Sequence, residues 1–137
     1  MRKGTRKEWA FTLVELIVVL VIIGVLASMA LPRFQVTIEK VRSAEGVNIL
    51  TALLGAQKRY AAENGGAYTS SMSNLDVTIP ASANFNPPTV SSSSPLAAIS
   101  RIDSPTSGID GYTLTISDTG AISCSGGGGG ICGKMGY

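Results

Sequence analysis

The run from Phe11 to Leu31, FTLVELIVVLVIIGVLASMAL, constrains this chain more than any other feature. It carries one charge, Glu15. At about 1.5 Å per residue, a helix of that length spans the roughly 30 Å of a bilayer core. A core helix of a soluble protein shows a polar stripe, yet between Leu16 and Leu31 only Ser28 is polar. The expectation is a membrane-crossing helix.

Charge gives it a direction. Residues 1–10 hold Arg2, Lys3, Arg6 and Lys7 against Glu8, whereas the rest of the chain has seven basic and eight acidic side chains. The positive-inside rule then places the N-terminus in the cytoplasm and everything after Pro32 on the far side. The net charge of +2 belongs to this basic leader, and beyond residue 64 the only basic side chains are Arg101 and Lys134. Nucleic-acid binding is not expected from so few cations, because phosphate affinity needs them clustered on a folded surface. Histidine is absent. That removes the commonest neutral-pH general base and zinc ligand, so neither an enzyme nor a cofactor is expected.

Three kinds of protein open with a basic leader and an apolar run. A Sec signal peptide places its cleavage site after the apolar segment, and Ala27-Ser28-Met29-Ala30 offers one, which would release a secreted binding protein. A plain single-pass anchor is the second. Neither explains Glu15, since a carboxylate in an apolar span is expensive and persists where it has a partner.

The third kind rests on a resemblance. Ala10-Phe11-Thr12-Leu13-Val14-Glu15-Leu16 and the apolar run to Leu31-Pro32 resemble the class III signal and N-terminal helix of type IV pilins and type II secretion pseudopilins. A short basic leader, Phe at the new N-terminus, Glu four residues later and Pro after the apolar stretch coincide over roughly residues 1–64. One position departs: Ala10 stands where the family usually has Gly. Gly4 offers no substitute, since Thr5-Arg6-Lys7 follows it with no apolar segment.

The resemblance implies that a prepilin peptidase cuts between Ala10 and Phe11, methylates the Phe11 amine and leaves the helix attached. It implies a homo-oligomer or a co-polymer with other pilins, built by an inner-membrane platform with a separate cytoplasmic ATPase. The precursor would sit in the bacterial inner membrane and the mature subunit in an extracellular pilus or a periplasmic pseudopilus. In such a stack the Glu15 carboxylate neutralises the Phe11 amine of a neighbour, because a lone charge of either sign is costly there. The alternative is that Glu15 reaches the headgroups.

The implied fold is α+β and pilin-like: a long N-terminal helix, half transmembrane and half amphipathic, packed against a small antiparallel β-sheet head. Its parts would be a leader (1–10), a membrane and assembly helix (11–31), a stem (32–64) and a β-rich head (65–137). Pro32 is expected to kink the helix without ending it, since its ring removes one hydrogen bond. Helical spacing resumes through Phe34, Ile38, Val41, Leu50, Leu53, Leu54 and Gln57. Polar faces come from Arg33, Glu39, Lys40, Arg42, Glu45, Lys58, Arg59 and Glu63, with Glu39 and Glu45 in local ion pairs. Asn64-Gly65-Gly66 is a stop signal. Gly46 and Gly55 interrupt the stem, through close approach of an overlying sheet or through simple tolerance.

In the head, Gly111–Ser117 alternates as a strand, Asp118-Thr119-Gly120 reads as a turn and Ala121–Cys124 as the return strand. Leu96–Ile102 is expected as an edge strand, Leu75–Ile79 as a short turn or strand, and the stretches around Asn86-Pro87-Pro88 and Ser91–Pro95 as loop. Cys124 and Cys132 are the only cysteines and both fall in the extracytoplasmic part, so a disulfide is expected, worth about 2 to 3 kcal/mol. It resembles the disulfide-bounded terminal loop of many pilins. Gly128–Lys134 matches the start of a phosphate-binding loop, but Met135 stands where Ser or Thr is needed and no helix is expected to follow. Asp103, Asp110 and Asp118 lack the spacing of a calcium loop. The terminal disulfide and the missing calcium loop favour a pilus subunit over a pseudopilin.

Overall fold

The computed structural model describes residues 11–103 and 111–137, the side chains of 31–33 and of 129 being outside the description. The chain divides into two compact units, Met1–Phe34 and Gln35–Tyr137. Helix α1, Leu13–Glu63, begins in the first and ends in the second. It runs through Pro32.

In the first unit α1 is long and apolar enough to cross a membrane. Every large apolar side chain from Leu13 to Met29 is at least half exposed. The one hydroxyl in its middle is satisfied locally, with Ser28 Oγ donating to the Val25 carbonyl at 2.7 Å.

The second unit is a four-stranded antiparallel sheet with the stem part of α1 packed on one face. Its strands are β1 (Thr89–Val90), β2 (Ala97–Ser100), β3 (Tyr112–Ile116) and β4 (Ile122–Gly126), in that spatial order. The β3–β4 hairpin sets Leu114 opposite Cys124 and Ile116 opposite Ile122. The period of two in β3 sends Tyr112, Leu114 and Ile116 into the core while Thr113 and Thr115 stay half-buried on the other face. Leu50, Leu53, Leu54 and Ala56 of the stem meet them, together with Phe85, Leu96 and Ile99. Phe85 and Tyr112 pack edge to face with centroids 6.3 Å apart.

The stem ends at Glu63, where Gly65 and Gly66 take φ of +65° and +90° and the Gly66 N–H returns to the Ala61 carbonyl at 2.7 Å. Only glycine adopts two such values without strain, which is why the helix stops there.

Three expectations need correction, and one open alternative is decided. Leu96–Ile102 does not form an edge: β2 lies inside the sheet because Thr89 and Val90 pair with Ala98 and Ala97. Of the two alternatives for Leu75–Ile79 the strand is absent: the segment bends at its start, closing the 3-10 turn Met72–Asn74. A helix does form near the C-terminus, α2 (Ile131–Met135), because Ile131 and Met135, four residues apart, plug the core and outweigh the flanking glycines. The stem also turns differently from the apolar spacing at its start: Phe34 and Val41 are 62% and 69% exposed, while Glu39 and Ser43 are fully buried; Gln57 is buried as that spacing has it.

Gly46 faces the sheet. A Cβ there would stand 3.0 Å from Phe85 Cζ and 3.1 Å from Leu114 Cδ1, whereas at Gly55 it would meet only Arg59 Nη1 at 3.4 Å. Gly46→Leu is therefore expected to destabilise by about 1–3 kcal/mol through overpacking. Gly55→Ala should stabilise by up to about 1 kcal/mol through helix propensity. Thermal unfolding of the full chain in detergent checks both, and a Gly46→Leu variant as stable as the parent would contradict the close approach.

Candidate functional site

Two constellations carry functional chemistry. The first is the start of α1. Thr12 precedes the helix, and Glu15 lies in its first turn. Glu15 Oε2 accepts from the Thr12 N–H at 3.0 Å and from the Thr12 hydroxyl at 2.8 Å, while the Glu15 N–H donates to Thr12 Oγ1 at 3.2 Å. This reciprocal arrangement is a capping box, which satisfies helix N–H groups that otherwise lack acceptors. A carboxylate at a helix start also faces the positive end of the peptide dipoles. Phe11, just outside the helix, is 80% exposed.

The expected cleavage position straddles the description, since Ala10 lies outside the described residues and Phe11 inside them. The expected kink at Pro32 concerns side chains that are likewise outside it. Cys124 and Cys132 are joined as a disulfide, with Cα atoms 5.6 Å apart, tying β4 to α2. Asp110 lies outside the described residues, and among those described no three acidic, Cys or His side chains cluster.

The second constellation is buried in the head, and the sequence pattern missed it. The polar-face pattern gives Glu39 a local pair, which Arg42 supplies, but it does not indicate burial and it leaves Arg101 at the head surface. Instead Arg101 Nε donates to Glu39 Oε1 at 2.6 Å, with both side chains almost wholly buried. The Tyr112 hydroxyl donates to the same oxygen at 3.1 Å, and Arg42 reaches Oε2 at 3.3 Å from the rim. Arg101 Nη1 spends its protons on the carbonyls of Asn84 and Ile102, each at 2.8 Å. One guanidinium thus joins the stem, the loop before β1 and the end of β2. Glu45 pairs not with a neighbouring cation but with Asn84 Nδ2 at 2.9 Å.

Further along the stem, Gln57 Nε2 donates to the carbonyls of Thr69 and Ser91 at 2.7 and 3.2 Å, and its Oε1 accepts from the Thr69 N–H at 3.0 Å. At the other end, Tyr137 shares a hydrogen bond with Ser43 at 3.1 Å. No described buried polar side-chain atom is left without a partner.

The N-terminal residues match a known pattern. Residues 6–31 fit the family model described as the prokaryotic N-terminal methylation motif. Type II secretion system core protein G of Escherichia coli K12 is 40% identical over 62 residues, 45% of this chain and 43% of that protein. Fimbrial protein EcpC of Eikenella corrodens is 38% identical over 55 residues, 40% and 36% of the two chains. Core protein G of Vibrio cholerae is 33% identical over 85 residues, 62% and 58%. Over the matched residues the chain is similar to pilins and pseudopilins, and it carries their N-terminal methylation motif. It spans about two fifths of the length of the first two relatives and under two thirds of the third. No solved structure matches it significantly. The family pattern accounts for the first constellation, and the Glu39 centre lies beyond the matched motif.

Burial by itself would raise the Glu39 carboxyl, but the hydrogen bond and charge of Arg101, with Tyr112 and Arg42, outweigh it and hold the group below the ordinary value of 4.5. Tyr112 is pushed well above a usual phenol by burial and by the Glu39 charge. The folded state therefore binds the Glu39 proton less readily than the unfolded chain, so the stabilisation is present at neutral pH and lost as pH falls below about 4.5. Glu39→Gln, which leaves Arg101 buried without a counter-charge, is expected to cost about 3–5 kcal/mol. The difference in unfolding free energy between parent and variant should stay flat near neutrality and shrink in acid. A difference that grew on acidification would mean Glu39 is held protonated.

Proposed function

We propose that the chain is the precursor of a structural subunit, major or minor, of a type IV pilus, and not an enzyme. The supporting observation is one coincidence: the methylation motif at residues 6–31 covers the start of a helix whose apolar side chains are exposed, and that helix continues into a folded α+β head. In this reading residues 1–10 are a cytoplasmic leader, 11–31 the membrane and assembly helix, 32–64 the stem and 65–137 the head. A prepilin peptidase removes the leader between Ala10 and Phe11 and methylates Phe11. The apolar side chains of Leu13–Met29 then exchange lipid for sister helices during polymerisation, driven by an inner-membrane platform and a separate cytoplasmic ATPase.

Glu15 has a defined part in that exchange. One of its oxygens holds the Thr12 cap, so the carboxylate enters a low-dielectric setting already half satisfied. The Phe11 amine of an adjoining subunit is the cation that would complete it. Pro32 would loosen the helix where it leaves the membrane.

A second reading has its own support: relatives from Escherichia coli and Vibrio cholerae are named type II secretion core protein G, which points to a pseudopilin in a short periplasmic fibre. Deleting the gene separates the two. Loss of surface fibres with intact protein secretion supports the pilus subunit, and the reverse supports the pseudopilin.

Mass spectrometry of the mature N-terminus is expected to find methylated Phe11. A chain starting at Leu31 would instead be a Sec product and would end both readings. Ala10→Gly should be processed at least as fast as the parent. Glu15→Gln should keep the subunit in the membrane yet abolish fibres, and normal fibres from that variant would refute the role given to Glu15.

A further inference from the structure

The last turn of the stem holds a reactive dipeptide that the assembly reading does not use. Asn64 is followed by Gly65, whereas Asn48, Asn74, Asn84 and Asn86 are followed by Ile49, Leu75, Phe85 and Pro87. Asn64 comes directly after the end of α1, and both Asn64 and Gly65 are exposed.

The backbone around them leaves one donor idle. The Asn64 N–H bonds to the carbonyls of Tyr60 and Ala61 at 3.0 and 3.2 Å, the Gly66 N–H to Ala61 at 2.7 Å and the Ala67 N–H to Asn64 at 3.3 Å. Among the described residues the Gly65 N–H meets no acceptor. A Cβ on Gly65 would find nothing within 4 Å, so no packed group crowds the dipeptide on that side. The Asn64 carboxamide is restrained by a single exposed hydrogen bond, Nδ2 to the Tyr60 carbonyl at 2.8 Å.

We infer that Asn64 is a site of spontaneous deamidation through a succinimide, with water as the only co-reactant. The Gly65 nitrogen gives up its proton and attacks Asn64 Cγ. A new N–Cγ bond forms, the Cγ–Nδ2 bond breaks, and Nδ2 leaves as ammonia carrying a proton equivalent to the one Gly65 lost. Water then opens the ring at either carbonyl, giving aspartate or isoaspartate at position 64. Nothing is oxidised or reduced.

The other asparagines are protected by features of the same fold. Asn74 and Asn84 donate to Thr69 Oγ1 and Glu45 Oε2 at 3.1 and 2.9 Å and are followed by bulky side chains. Asn48 sits inside α1, where the next N–H belongs to the helix ladder. Asn86 precedes a proline, which has no N–H to react.

The products change the stem end. A carboxylate at 64 stands beside Glu63 at the negative end of the helix dipole and removes the donor that served Tyr60. Isoaspartate further lengthens, by one methylene, the turn leading to Thr69, which Gln57 fixes on the stem. The modification therefore loosens the junction between stem and head.

The test is peptide mapping by mass spectrometry of the full chain in detergent, sampled during incubation at mildly alkaline pH. The expected result is an amide-to-acid mass change confined to the peptide containing Asn64, resolved into two isomers, faster at higher pH and absent in Asn64→Gln. Circular dichroism of that variant, which keeps a side-chain amide, confirms that it is folded. Conversion at Asn74 or Asn84 as fast as at Asn64, or conversion of Asn64 only after the chain is unfolded in urea, would overturn the inference.

Discussion

Glu39 and Arg101 meet at 2.6 Å in a place where both are almost wholly shielded from water. That contact decides how the stem and the sheet fit together. Leu50, Leu53 and Leu54 present an apolar surface that a sheet could accept at more than one rotation of the helix, since hydrophobic burial has little directionality. Glu39 and Gln57 do not share that freedom. Each must find its own partners, the guanidinium and phenol for one and the Thr69 and Ser91 backbone for the other. A rotation that kept the leucines buried while moving these two would strand a charge and an amide. The desolvation of a buried ion pair consumes most of its Coulomb attraction, so its net stabilisation is small while its loss is expensive. The pair accordingly works as a register pin, and the apolar core provides most of the stability.

The legible and illegible parts of the sequence divide along the same line. The apolar run and Glu15 are local features, read from consecutive residues, and the β3–β4 hairpin follows from its strict alternation and its Asp-Thr-Gly turn. Glu39 was not legible because its partner lies 62 residues away and nothing near it advertises burial. Its neighbours Lys40 and Arg42 make a solvated face the natural assignment, and Val41 beside them is in fact the exposed residue. Arg101 carried a faint signal: it follows the alternating Ala97 and Ile99 on the core-facing side of a strand, where a surface cation is out of place. Strand β1 was hidden by length, two residues between a proline pair and a serine run. Helix α2 was hidden by composition, because local propensity counts the glycines and cannot see that Ile131 and Met135 fill a hole in the core.

The same helix solves two opposite problems. Beyond Gln35 it buries one face, and the polar groups there find partners elsewhere in the head, as Glu39 and Gln57 do, or partly within the helix, as Ser43 does with the Lys40 carbonyl. Between Leu13 and Met29 it has no sheet, so every polar group must be answered within the helix or by a partner of the same kind. Ser28 answers itself through the Val25 carbonyl, and Thr12 with Glu15 supplies acceptors for the N–H groups of residues 12 and 15. The capping box explains why a carboxylate is bearable at that position before any neighbour arrives. Thr12 supplies two donors and both go to Oε2, which leaves Oε1 without a described partner. In the proposed assembly, that free oxygen is the half of the site which a neighbouring subunit would complete. Completion by a second subunit would add an ion pair without first breaking the cap, so selection for a stable monomer and selection for an assembling one need not conflict at this residue.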